Sequence, residues 1–153
     1  MDNEKIIVGQ LTAQWQKDVT ALTKIFETLG EANAEKEVAP GRNTVAYLLG
    51  HMVAVHDRLI EALDAGDRFY PDLDKPFLED PDSKTGYPPY QQLLDQWKKV
   101  NEYVAGIFAR QSTADWLSKH HYVSDADFKN EPHRNRLAIL ISRYAHLNTR
   151  SRR

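Results

Sequence analysis

Apolar residues recur every three or four positions through four stretches of the chain, the period of a helix that buries one face. Ile7, Leu11, Leu22, Phe26 and Leu29 place a first helix over 3–29, with Asp2 or Asn3 to cap it and Gly30 to end it. Val45, Leu48, Met52, Val55, Leu59 and Ala62 alternate by three and four in a second helix over 44–65, capped by Asn43 or Thr44 and stopped by Gly66. Leu93, Leu94, Trp97, Val100, Val104 and Phe108 form the stripe of a third over 88–110, opened by Pro88 and Pro89. The fourth, over 132–150, carries Leu137, Leu140, Ile141, Tyr144 and Leu147 behind Pro132. No convincing strand pair competes with these helices. The expected fold is therefore all-α, a four-helix bundle forming one domain over residues 1–153.

The connections are unequal. Residues 66–86, rich in Asp, Pro and Gly, are too long for a hairpin and predict a crossover along the bundle. Residues 111–131 predict a second long connector with a short helical turn near 114–117. The acidic crossover (Asp67, Asp72, Asp74, Glu79, Asp80, Asp82) lacks the spacing of a calcium loop and reads as solvated. Val53, Ile60 and Ile139 fall outside the main stripes and suggest surface for a homodimer.

Composition removes several kinds of chemistry. The chain has no cysteine, which excludes disulfides, thiolate nucleophiles and Cys-ligated metals, and fits a cytoplasmic location. No apolar run approaches the ~20 residues of a membrane span, and the mixed charges of Met1 to Lys5 do not make a signal peptide. The net charge of −2 conceals a basic end, with seven Lys/Arg and one acid from Lys129 onward. Cations near the end of a last helix are favoured by its dipole, and no interleaved aromatics suggest nucleic acid. There is no glycine-rich phosphate loop, no dinucleotide fingerprint and no His-Glu-x-x-His.

What remains is histidine. His51 and His146 lie on separate helices that one bundle can bring together, and imidazole is the commonest transition-metal ligand. At ~100° per residue, His56 falls inside the apolar face of the second helix and His51 at its edge. His51 is the better candidate for an open site, and His56 reads as a hydrogen-bonded core residue or a support to the ligands. His120 and His121 sit in a connector, and His133 in the first turn of the fourth helix reads as exposed.

The segments Asn43-Thr-Val-Ala-Tyr-Leu-Leu-Gly-His-Met52 and Arg143-Tyr-Ala-His-Leu-Asn-Thr149, together with Ala39-Pro-Gly41, resemble the DinB/YfiT-like superfamily of metalloenzymes. The resemblance covers the whole chain in element order. It implies a divalent metal, nickel or zinc, held by one histidine of the second helix and a His-x-x-x-His pair of the fourth. It also implies hydrolase or thiol-dependent transferase chemistry on a small-molecule substrate, in proteins that commonly dimerise. By position His51 and His146 are the ligands, while Arg150 stands where the third histidine belongs and cannot coordinate. Tyr47, one turn before His51, is placed to donate a proton or orient substrate, and Arg143 or Arg150 to hold an anionic group. The expected metal is weakly held. The competing expectation is a non-catalytic dimerising or ligand-binding bundle whose metal site has decayed.

Overall fold

The computed structural model describes residues 2–80 and 85–151, the side chains of 148–151 excepted. Four long helices, α1 (Asn3–Leu29), α2 (Val45–Ala62), α3 (Tyr90–Arg110) and α6 (Arg136–Ser151), are joined through two short ones, α4 (Thr113–Leu117) and α5 (Asp125–Asn130). α3 and α6 each pack against both α1 and α2. No strand forms among the described residues, so the all-α expectation holds. None of their helices is long and apolar enough to cross a membrane.

Local chemistry sets the ends. Asp2 accepts from the amides of Glu4 and Lys5 and starts α1, and Gly30, at φ 64°, ends it. Thr44 accepts from the Tyr47 amide and starts α2. That helix stops at Ala62 rather than 65, because Asp64 turns left-handed at φ 51° and the Ala65 amide closes back on Ile60 O. Pro88 and Pro89 precede α3 instead of forming its first turn. α6 begins at Arg136, not Pro132, because Asn135 caps it by accepting from the Ala138 amide. His133 consequently lies before the helix, and it is exposed. In the second connector α4 matches the expected turn, with a reciprocal Ser112–Asp115 capping box, whereas α5 was not expected.

α2 is the central element: fourteen of its 18 residues are buried. Val53 and Ile60 are therefore core residues with no exposed surface, which corrects their reading as a dimer face. Ile139 is half-buried, and Ile141 faces solvent at 48% instead of joining its stripe. Trp15, Trp97 and Trp116 are fully enclosed, with Trp15 and Trp97 against the ring of His56.

The crossover is not the solvated loop that its acids suggested. It forms a 3₁₀ turn over Pro71–Leu73 and a π turn over Lys75–Glu79. Asp57 of α2, wholly buried, accepts from the amides of Phe69 and Tyr70 and from Arg68 Nε at 3.1 Å. Arg68 grips both oxygens of Asp74 at 2.8 and 2.6 Å, and Arg58 adds two more bonds, at 3.2 and 2.8 Å. Burial raises the Asp74 carboxyl, but the bonds to Arg68 and Arg58 outweigh it and hold the group below the usual carboxylate range. Asp67, Asp72, Glu79 and Asp80 are exposed, and Asp82 lies outside the described residues.

Candidate functional site

The clamped crossover lays one backbone atom over α2. Gly50 is buried, and a Cβ built on it would fall within the Phe77 ring, so glycine alone lets that ring settle on the helix. With Phe77 seated, its carbonyl oxygen accepts from Tyr47 Oη at 3.2 Å and from His51 Nδ1 at 3.0 Å. The carbonyl can only accept, so Nδ1 of His51 carries the hydrogen and Nε2 presents its lone pair. Tyr47 stacks on the same imidazole, with centroids 5.7 Å apart and planes 24° from parallel.

The lone pair of His51 faces His146, with the two Nε2 atoms 3.2 Å apart. Both rings are half-buried. Two imidazoles holding one ion at ~2.1 Å, at right angles or tetrahedrally, have nitrogens about 3.0–3.4 Å apart. The separation fits, and a backbone carbonyl holding the far nitrogen is the usual support of a ligating histidine. The same distance suits an N–H···N bond in which His146 Nε2–H donates to His51. Either way the two rings are held together edge to edge. Among the described residues no three His, Cys, Asp or Glu side chains gather into a set that could hold an ion, and two of them, His51 and His146, face each other here. The backbone of α6 continues helically through position 150, but the Arg150 side chain lies outside the described residues.

His56 is the core residue its helical position suggested. Asn101 donates Nδ2–H to Trp97 O, which turns its Oδ1 toward His56 Nδ1 at 2.6 Å. The His56 ring is fully buried, and its Nε2 has no hydrogen-bond partner. Burial is the main reason its pKa falls from 6.5 to about 4, and the positive fields of Arg143, His146 and His51 push the same way. Because the unfolded chain binds this proton near pH 6.5 and the folded chain only near 4, stability should fall as pH drops through that window. The loss should reach about 3 kcal/mol and persist below it. Urea unfolding at pH 7 and pH 4 checks this, and His56→Leu should flatten the difference.

Arg143, one turn before His146 on α6, is half-buried with its Nε enclosed and unbonded. Of the remaining histidines, His120 is buried and accepts from the Tyr122 amide, and burial lowers its pKa. His121 is exposed and donates to Asp64 at 2.7 Å. Sequence reasoning named His51, His146 and Tyr47 but not Gly50, nor the Phe77 carbonyl that accepts from His51 and Tyr47. A glycine inside a strongly helical run was the one available signal.

The family model of the DinB superfamily matches residues 13–142. No curated protein matches the chain.

Proposed function

We propose, from the premise that the chain belongs to the DinB superfamily, that it is a metal-dependent enzyme of the hydrolase or thiol-dependent transferase type. In this reading His51 and His146 hold a divalent nickel or zinc ion. The observation that carries it is the pair of facing Nε2 atoms at 3.2 Å, one ring being fixed from behind by a backbone carbonyl. A bound ion there would supply Lewis acidity, lowering the pKa of a water or thiol or polarising a carbonyl. The chain has no cysteine, so a thiol comes from a small-molecule cosubstrate. Tyr47 gives its hydroxyl hydrogen to the Phe77 carbonyl and lies against His51, so its work is to keep the imidazole plane in place. His56, neutral and tied to Asn101, is packed in the core between Trp15 and Trp97.

A second reading, a non-catalytic dimerising or ligand-binding bundle, is favoured by the count of donors. Two imidazoles give weaker and less fixed coordination than three. Metal analysis of untagged protein separates the two. We expect the unmodified chain to take up nickel or zinc weakly and to lose it to a chelator. Arg150→His, four residues after His146 on a continuing helix, should raise affinity about tenfold or more. His51→Ala should abolish uptake in both backgrounds. Tight binding that survives His51→Ala would show that the ion sits elsewhere, and failure of Arg150→His to bind at all would favour the non-catalytic bundle.

A further inference from the structure

We propose that the cleft between α1, α2 and the connector after Gly30 binds a medium-chain alkyl carboxylate, its tail among apolar walls and its head at Lys36. This goes beyond the metal reading and does not depend on it. Val45, Leu48 and Met52 line the cleft from a side of α2 about 90° round the helix from His51.

The cleft is built from fixed parts. Leu22 and Phe26 of α1, with Val45, Leu48 and Met52 of α2, are its buried walls, around a volume of about 310 Å³. Val38 lines it from the connector, and Ile25, 44% exposed, stands where it meets solvent. The connector is pinned to the start of α2. The Ala46 amide donates to Ala34 O at 2.8 Å, the Val45 amide to Lys36 O at 3.0 Å and the Val38 amide to Asn43 O at 3.0 Å. Tyr90 holds the opposite wall by donating to Phe26 O at 2.7 Å. A site shaped before its ligand arrives spares that ligand the cost of ordering it.

Size and charge select the occupant. Small-molecule sites are concave, mostly apolar and begin near ~300 Å³. At ~30 Å³ for each water-sized group the cleft takes about ten, the heavy atoms of octanoate. Of the polar residues that line it, Asn33 spends its amide on Leu29 O. Glu37 turns Oε2 to the Gly41 amide at 3.0 Å, and Gly41 is not part of the lining. Lys36 lines the cleft yet is exposed, as a lysine is whose stem covers apolar surface while its ammonium stays in water. A carboxylate at the mouth meets that cation, and an amine there is repelled by it.

The test titrates hexanoate, octanoate, decanoate and dodecanoate, below their micellar range, into the full chain by calorimetry and thermal melting. Octan-1-ol and octylamine vary the head group. Saturable binding at one site per chain is expected. Affinity should rise about fourfold per methylene to decanoate, the effect of burying one CH₂, and level off at dodecanoate. Lys36→Gln should weaken octanoate about two- to fivefold, the worth of one exposed ion pair, and leave octan-1-ol unchanged. Lys36→Glu and Ile25→Glu, which add an acid at the mouth, should weaken it further. These positions are exposed, so the ligand-free Tm should stay within about 2 °C. His51→Ala should leave octanoate affinity within about twofold. The proposal is overturned by absent or non-saturable binding, by affinity indifferent to chain length, by octylamine binding as tightly as octanoate, or by undiminished octanoate binding in Lys36→Glu. A dimer that Ile25→Glu dissociates, with no octanoate bound, would give the cleft to a second copy instead. Loss of octanoate binding in His51→Ala at unchanged Tm would move the acid to the histidine pair. Metal uptake decides none of these outcomes, so this site and the metal reading fail separately.

Discussion

Asp57→Ala should lose about 3–5 kcal/mol of stability, a large part of what a domain of this size possesses. The carboxylate is wholly buried on α2, and three donors converge on it: the amides of Phe69 and Tyr70 and the Nε of Arg68. Alanine would leave two backbone N–H groups without their acceptor and would strip Arg68 of one of its two acid partners. Asp57→Asn, which keeps one acceptor oxygen, should fall between. Urea unfolding at pH 7 measures both, and a loss below about 1 kcal/mol for alanine would mean that the latch is dispensable. The crossover carrying Phe77 is held to α2 by this latch, so the variant should also weaken whatever the histidine pair binds.

Gly50→Ala should be nearly as costly, for a different reason. A Cβ at this position overlaps the Phe77 ring, which has no exposed surface. Overpacking of this kind costs about 3 kcal/mol, the upper end of the ordinary range. The consequence for the site is separable from stability. Pushing Phe77 outward carries away the oxygen to which both Tyr47 and His51 donate. Loss of such a support should lower metal affinity about ten- to a hundredfold. Pairing Gly50→Ala with Phe77→Leu, which shortens the ring's reach, should recover part of both. A single variant with unchanged melting temperature and unchanged metal uptake would show that the ring is free to move.

Much of this was readable from residue order alone. Helical periodicity located all four long helices, because each carries a stripe that must be covered, and α1, α2 and α6 also begin at short polar caps that satisfy their first amides. The errors fall where a local competitor acts. Asn135 outbids Pro132 for the start of α6 by offering a side-chain oxygen, and Asp64 ends α2 early by adopting a left-handed turn. Ser124 opens α5 by accepting from the Asp127 amide, a cap easily mistaken for ordinary loop polarity. At the site, the family resemblance pointed to His51 and His146, while the helical pattern put His56 inside the apolar face and His51 at its edge. It missed the Asp57–Arg68–Asp74 latch because charges 17 residues apart show no period, and a buried carboxylate looks in sequence like any surface one. The partner of His51 is a main-chain oxygen, an atom every residue has, so no residue type could announce it.

The two facing histidines differ in what anchors them. His51 belongs to the helix most deeply embedded in the molecule, whereas His146 rides near the far end of the last one, five residues before its final turn closes at Ser151. A ligand that joins the two rings ties α6 to α2 through side chains 95 positions apart in the chain. Because it binds only the arrangement in which those helices are docked, its binding free energy stabilises that arrangement against opening.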